Sequence, residues 1–143
     1  MKYSIVLLAA GLIYLSPASA QKIKKSELPE PVSSAFKKSN PGIRTEKWGK
    51  ENGNYEAEYK VGKVEHTTVL SPGGVLVQTE TDIRPATLPA KVLDAVKKKV
   101  PGGKISEAAE IISPDGKKSF EAEIKGIDYI YDASGQLIKT AKD

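Results

Sequence analysis

Two strand-like stretches carry the side chains with the most evident chemistry. Tyr55-Glu56-Ala57-Glu58-Tyr59-Lys60 and Phe120-Glu121-Ala122-Glu123-Ile124-Lys125 each set two carboxylates two residues apart and follow them with a lysine. Residues two apart on a β-strand project from the same face. Each stretch therefore shows a carboxylate pair on one side and Tyr55, Ala57 and Tyr59, or Phe120, Ala122 and Ile124, on the other. If both strands join one surface, Glu56, Glu58, Glu121 and Glu123 line it with Lys60 and Lys125. Such a surface suits docking of a partner protein, or a hard cation held by oxygen ligands as in a small-ligand or cation sensor. The same alternation also marks an ordinary half-buried strand whose charges face water.

Little else supports catalysis. The single histidine, His66, stands in the β-branched run Lys63 to Leu70 without a GxSxG or HExxH setting. A serine-based triad needs such a base, so the expectation is a protein that is not an enzyme and uses no cofactor. The absence of cysteine removes disulfide frameworks, thiolate zinc sites and cysteine nucleophiles together. Asp132-Ala133-Ser134-Gly135 lacks the further acids of a calcium loop and reads as a hairpin turn whose Asp bonds its own backbone. Trp48 has two readings: an aromatic anchor on an open sheet face, or the largest filler of a core. Lys97-Lys98-Lys99 reads as a solvated helix end, with contact to an anionic surface as the other reading. Beyond residue 20 the chain has 21 basic and 18 acidic groups. That excess is too weak for a nucleic-acid binder.

The N-terminus reads as an address. Met1-Lys2 gives a positive start, Tyr3 to Leu15 is an apolar run, and Ser16-Pro17 breaks it ahead of Ala18-Ser19-Ala20. A membrane-spanning helix needs about 20 apolar residues. The shorter run with a small-x-small end predicts a signal peptide over residues 1–20, cleaved after Ala20. The mature protein is then periplasmic or secreted, without stable membrane insertion. Residues 21–27 read as a loose N-terminal leader.

The positioning elements come in two sets. Leu28-Pro29-Glu30-Pro31-Val32 to Asn40-Pro41-Gly42 is echoed sixty residues later by Leu88-Pro89-Ala90-Lys91-Val92 to Val100-Pro101-Gly102. A self-match at such a period indicates a duplicated supersecondary unit. Val32, Ala35 and Phe36, and then Val92, Leu93 and Val96, follow helical steps. Proline suits a helix start and Pro-Gly its end. Beyond each helix the period changes to two. Four strands are predicted after the first, bounded by Asn52-Gly53 and by Ser71-Pro72-Gly73-Gly74, and four after the second, bounded by Ser113-Pro114-Asp115-Gly116. The expected fold class is α+β, with two tandem αββββ repeats over residues 28–84 and 85–143, each a short helix packed on a four-stranded antiparallel sheet, the two sharing one sheet or forming two abutting sheets.

These residues resemble the PepSY-like proteins of bacterial envelopes, whose fold is akin to the β-lactamase-inhibitor protein. The family pattern is Leu-Pro-x-x-Val-x-x-Ala-Phe, Pro-Gly, a Trp, a Tyr-Glu-Ala-Glu-aromatic strand and an Asp-x-x-Gly-x-Leu hairpin. It is matched here by Leu28 to Phe36, Pro41-Gly42, Trp48 and Tyr55 to Tyr59, and in the second half by Leu88 to Val96, Phe120 to Ile124 and Asp132 to Leu137. Two departures stand out: Ser71 replaces the acidic turn residue, and Ala108 stands where Trp48 would recur. The resemblance implies a small non-enzymatic binding protein that restrains or chaperones an envelope or secreted enzyme through the open face of its sheet. Trp48, Glu56, Glu58, Lys60, Glu121, Glu123 and Lys125 are the expected contact residues.

Overall fold

A computed structural model describes residues 21–45 and 47–142; the expected signal peptide, residues 1–20, lies outside them. In chain order the elements are β1 (Gln21–Lys22), α1 (Glu30–Ser39), β2 (Lys47–Glu51), β3 (Asn54–Val61), β4 (Val64–Leu70) and β5 (Leu76–Asp82). They continue with α2 (Ala90–Lys99), β6 (Glu107–Ile112), β7 (Lys118–Glu123), β8 (Ile127–Asp132) and β9 (Leu137–Lys142). All nine strands form one antiparallel sheet in sequence order.

Each helix follows a proline at its N-cap, Pro29 and Pro89, because that position needs no amide donor. Each ends in a run of lysines, where positive charge suits the helix dipole. Val32 and Phe36 of α1 pack against Trp48, Tyr55, Ala57, Tyr59 and Leu70. Val92 and Val96 of α2 pack against Ala108, Phe120, Ala122, Ile124 and Tyr131. Burying such a side chain contributes roughly 1.5–3 kcal/mol, and these two residues anchor each helix to the sheet.

Strand register puts both helices on one side. Residues directly opposite in an antiparallel pair point the same way. Tyr59 pairs with His66, His66 with Thr81, Thr81 with Glu110, Glu110 with Phe120 and Phe120 with Tyr131. That walk begins in the α1 core and ends in the α2 core without changing face. Between the cores lies a polar seam, where Thr81 Oγ1 meets His66 Nδ1 at 3.1 Å and His66 stacks on Tyr59 at 5.6 Å between ring centroids.

The strands of both halves share one sheet, one of the two arrangements expected: β5 pairs with β6 from Thr79↔Ile112 to Asp82↔Ala109, which satisfies backbone groups that two free edges would leave exposed. Two expectations are corrected. Residues 21–27 are not a loose leader. Gln21 and Lys22 pair with Lys50 and Gly49, the Ile23 amide donates to the Trp48 carbonyl at 3.0 Å, and Ile23 packs on the first core. Finally, Ile43, expected from the period-two pattern to open a strand running to Lys50, packs on the first core, and β2 is Lys47–Glu51.

Candidate docking face

The helix-free face carries the alternate residues of every strand. Glu58 pairs with Thr67 and Thr67 with Glu80; two residues on, Asp82 pairs with Ala109 and Ala109 with Glu121. Glu56, Glu58 and Lys60 of β3 therefore share a face with Glu121 and Glu123 of β7. They do not form one cluster. The two rows flank β4, β5 and β6, and the intervening carboxylates are Glu65, Glu80, Asp82 and Glu107.

This face is the inside of a curl. Strands lie about 4.8 Å apart, so a flat sheet would hold β5 and β9 roughly 19 Å apart. Glu80 on β5 nevertheless feels the charges of both Glu51 on β2 and Lys139 on β9. Val69, Ala109, Ile111 and Ile130 also point to this face and are buried although no helix covers them. Long polar side chains crowd over them, among them Gln78, whose amide donates to Glu80 Oε1 at 2.6 Å.

Crowding tunes the acids. Burial, then the charges of Glu51 and Glu80 and a hydrogen bond with Glu51, push the Glu56 carboxyl up to about 7. Burial also raises Glu80, opposed by the Gln78 bond, and raises Asp82, where the charge of Glu65 adds and His66 opposes. An ionised carboxylate is disfavoured wherever water is scarce and like charges are near. Glu58 is different: Lys47 Nζ donates to its Oε2 at 2.9 Å. Glu123 Oε1 accepts from Ser106 Oγ at 2.9 Å. Glu51 and Glu80 were missed in the sequence. Glu80 had a signal, since Gln78, Glu80 and Asp82 alternate along β5, whereas Glu51 joins Glu56 only through tertiary proximity. Among the described residues no group of three metal-ligating side chains converges.

Two expected contact residues lie elsewhere. Trp48 is on the helix face, buried, with its ring edge-on to Phe36 at 5.4 Å between centroids. The reason is register: the Asn52-Gly53 turn sets Trp48 opposite Ala57, an inward position. Lys125 is not in β7. It opens the two-residue turn Lys125-Gly126 with φ 56°, closed by reciprocal amide–carbonyl bonds between Ile124 and Ile127. Asp132 has a local task. Its Oδ1 accepts from the Ser134 and Gln136 amides at 2.8 and 3.0 Å, and the bonds from Ser134 and Gln136 hold the carboxyl below its ordinary range. Ser71 does the equivalent work in the first half, its Oγ accepting from the Val75 amide at 3.1 Å.

No family model and no curated protein matches the sequence. Solved structures do. A DUF2874 family protein from Bacteroides uniformis matches with a TM-score of 0.66 at 17% identity, over 80% of this chain and 88% of that one. A Bacteroides eggerthii protein described provisionally as periplasmic gives 0.63 at 18% identity, again over 80% and 88%. A BLIP-like protein from Bacteroides fragilis gives 0.58 at 18% identity, over 90% of this chain and 88% of that one. At such identities the shared property is the fold: two helices and a curled antiparallel sheet, similar to these BLIP-like and DUF2874 structures.

Proposed function

We propose that this chain is an exported, non-enzymatic binding protein of the PepSY-like kind, which grips an envelope or secreted protein on the inside of its curled sheet and restrains or escorts it. The observation that carries the reading is the pair of carboxylate rows, Glu56/Glu58 and Glu121/Glu123, which flank Glu80 on one face that no helix covers. Lys60 stands beside the first row. Complementary potentials steer docking and set specificity, so the partner presents a basic surface.

The same reading takes residues 1–20 as a cleaved signal peptide and residues 28–84 and 85–143 as two copies of one αββββ unit. Support comes from matching irregularities: register shifts at Val69/Leu70 and at Ile130/Tyr131, and turn glycines at 74 and 135. Export is supported by the apolar run and Ala18-Ser19-Ala20, and by the provisional description of the Bacteroides eggerthii structure.

Affinity capture from the cell envelope tests the docking face. The wild type should enrich a protein that the Glu58→Lys, Glu123→Lys double variant loses while keeping its circular dichroism. Losing the exposed Lys47–Glu58 pair costs at most about 1 kcal/mol, so the variant folds. Capture of the same proteins by both forms contradicts the reading.

A further inference from the structure

The charges of this chain are sorted between its two layers. Residues 21–46 and 84–104, which hold both helices and their flanking segments, carry twelve Lys and Arg against four acids: Glu27, Glu30, Glu46 and Asp94. The strands and hairpins of residues 47–83 and 105–143 carry nine basic groups against fourteen acidic ones. Because the register places both helices on the same side of one sheet, eleven of these cations share that side; Lys22, opposite Gly49 and so in line with Glu56, faces the other. All twelve are exposed, and none enters an ion pair among the described residues. The flanking segments belong to the same side, since Ile23 and Ile43 pack on the α1 core and Val100 and Ile105 on the α2 core.

We infer that the helix-bearing side attaches electrostatically to an anionic lipid surface. Charge complementarity identifies a polyanion, and the absence of apolar contacts favours lipid over protein. The large apolar side chains left exposed among the described residues, Val61, Val64, Val75, Leu76, Ile127 and Ile138, all lie on strands or hairpins and none on the helix-bearing segments. A protein interface draws its affinity from a desolvated apolar or aromatic centre. Adsorption to anionic headgroups needs basic charge alone. The lysines also reach out on flexible apolar stems, as snorkelling side chains do at a membrane interface. No helix among the described residues is long and apolar enough to cross a membrane, so attachment is peripheral and reversible. Held this way, the chain turns its acidic concave face away from the lipid. The attachment does not depend on that face having a partner.

Co-sedimentation of the exported protein with vesicles tests this. The protein should pellet with vesicles containing phosphatidylglycerol, stay in solution with pure phosphatidylcholine, and be released near 1 M salt, where the screening length falls to about 3 Å. Each lysine near an anionic surface is worth about fivefold in partition. The folded triple variant Lys97→Gln, Lys98→Gln, Lys99→Gln should therefore lose about a hundredfold. A Lys139→Gln variant, whose residue pairs with Ile130 on the helix-free face, should partition as the wild type does. Equal behaviour toward both vesicles, an unaffected triple variant, or retardation of duplex DNA without vesicle binding would each overturn the inference.

Discussion

A β-carbon added at Gly135 would lie 2.5 Å from the carbonyl oxygen of Lys91, in the first turn of α2. The first half repeats the relationship, a β-carbon at Gly74 falling still closer to the Pro31 carbonyl oxygen. Both glycines also have positive φ, 87° and 78°. Each β-hairpin tip thus presses its bare backbone onto the start of a helix and fixes where that helix sits. Gly135→Ala combines a left-handed backbone cost with overpacking against main chain that cannot move aside. We expect each glycine-to-alanine change to destabilise the fold by about 2–4 kcal/mol, read by chemical denaturation. A change below about 0.5 kcal/mol, the ordinary surface range, would mean the hairpin tips do not seat the helices.

Glu56 should make stability depend on pH. Its carboxyl has an ordinary value of 4.5 and is pushed up to about 7 in the fold, chiefly by burial. Between those values the folded protein keeps a proton that the unfolded chain has released, and linkage then makes stability fall as pH rises. The contribution is complete below pH 4.5 and gone above 7. Glu56→Gln removes this titration, leaving the smaller slopes of Glu80 and Asp82. At pH 8 the variant should be more stable than the wild type by about 1–2 kcal/mol, with the difference closing by pH 4.5. Melting curves that stay parallel across that range would contradict the crowding described for the concave face.

Two buried polar atoms make no hydrogen bond among the described residues: Trp48 Nε1 and the Tyr131 hydroxyl. An unsatisfied buried donor costs free energy without return. Tyr131→Phe should leave stability unchanged or raise it by about 1 kcal/mol. Trp48→Phe should cost far less than Trp48→Ala, which empties the α1 core and costs about 3–5 kcal/mol. If Trp48→Ala instead left stability intact, its place under Phe36 would be wrong and the anchor reading of the indole would return.

The helices and most turns were legible in the sequence because their signals are local. Helical steps through Val32 and Phe36 or Val92 and Val96, the Pro-Gly stops and the Asn52-Gly53 pair each act within a few residues. Even the face of Trp48 was readable, by counting back from that turn to its partner Ala57. What was hidden depends on pairing at a distance. Gln21 and Lys22 are too few to show a period, and their strand exists only because β2 offers an edge. Fusion at β5 and β6 joins residues about thirty apart across α2, and no local pattern marks Thr79 as the partner of Ile112. Lys125 was misassigned because Phe120 to Lys125 copies the pattern of Tyr55 to Lys60 while its hairpin turns two residues sooner. The charge coupling of Glu51 and Glu80 to Glu56 follows from curl, a property of the whole sheet.

Hydrogen–deuterium exchange of the exported protein, alone and with the partner recovered by capture, is the most direct test of the concave grip. Exchange should slow along β3, β5 and β7, around Glu56, Glu80 and Glu121, while the amides of α1 and α2 keep their free rates. Slowing confined to the two helices, with the three strands unchanged, would contradict it.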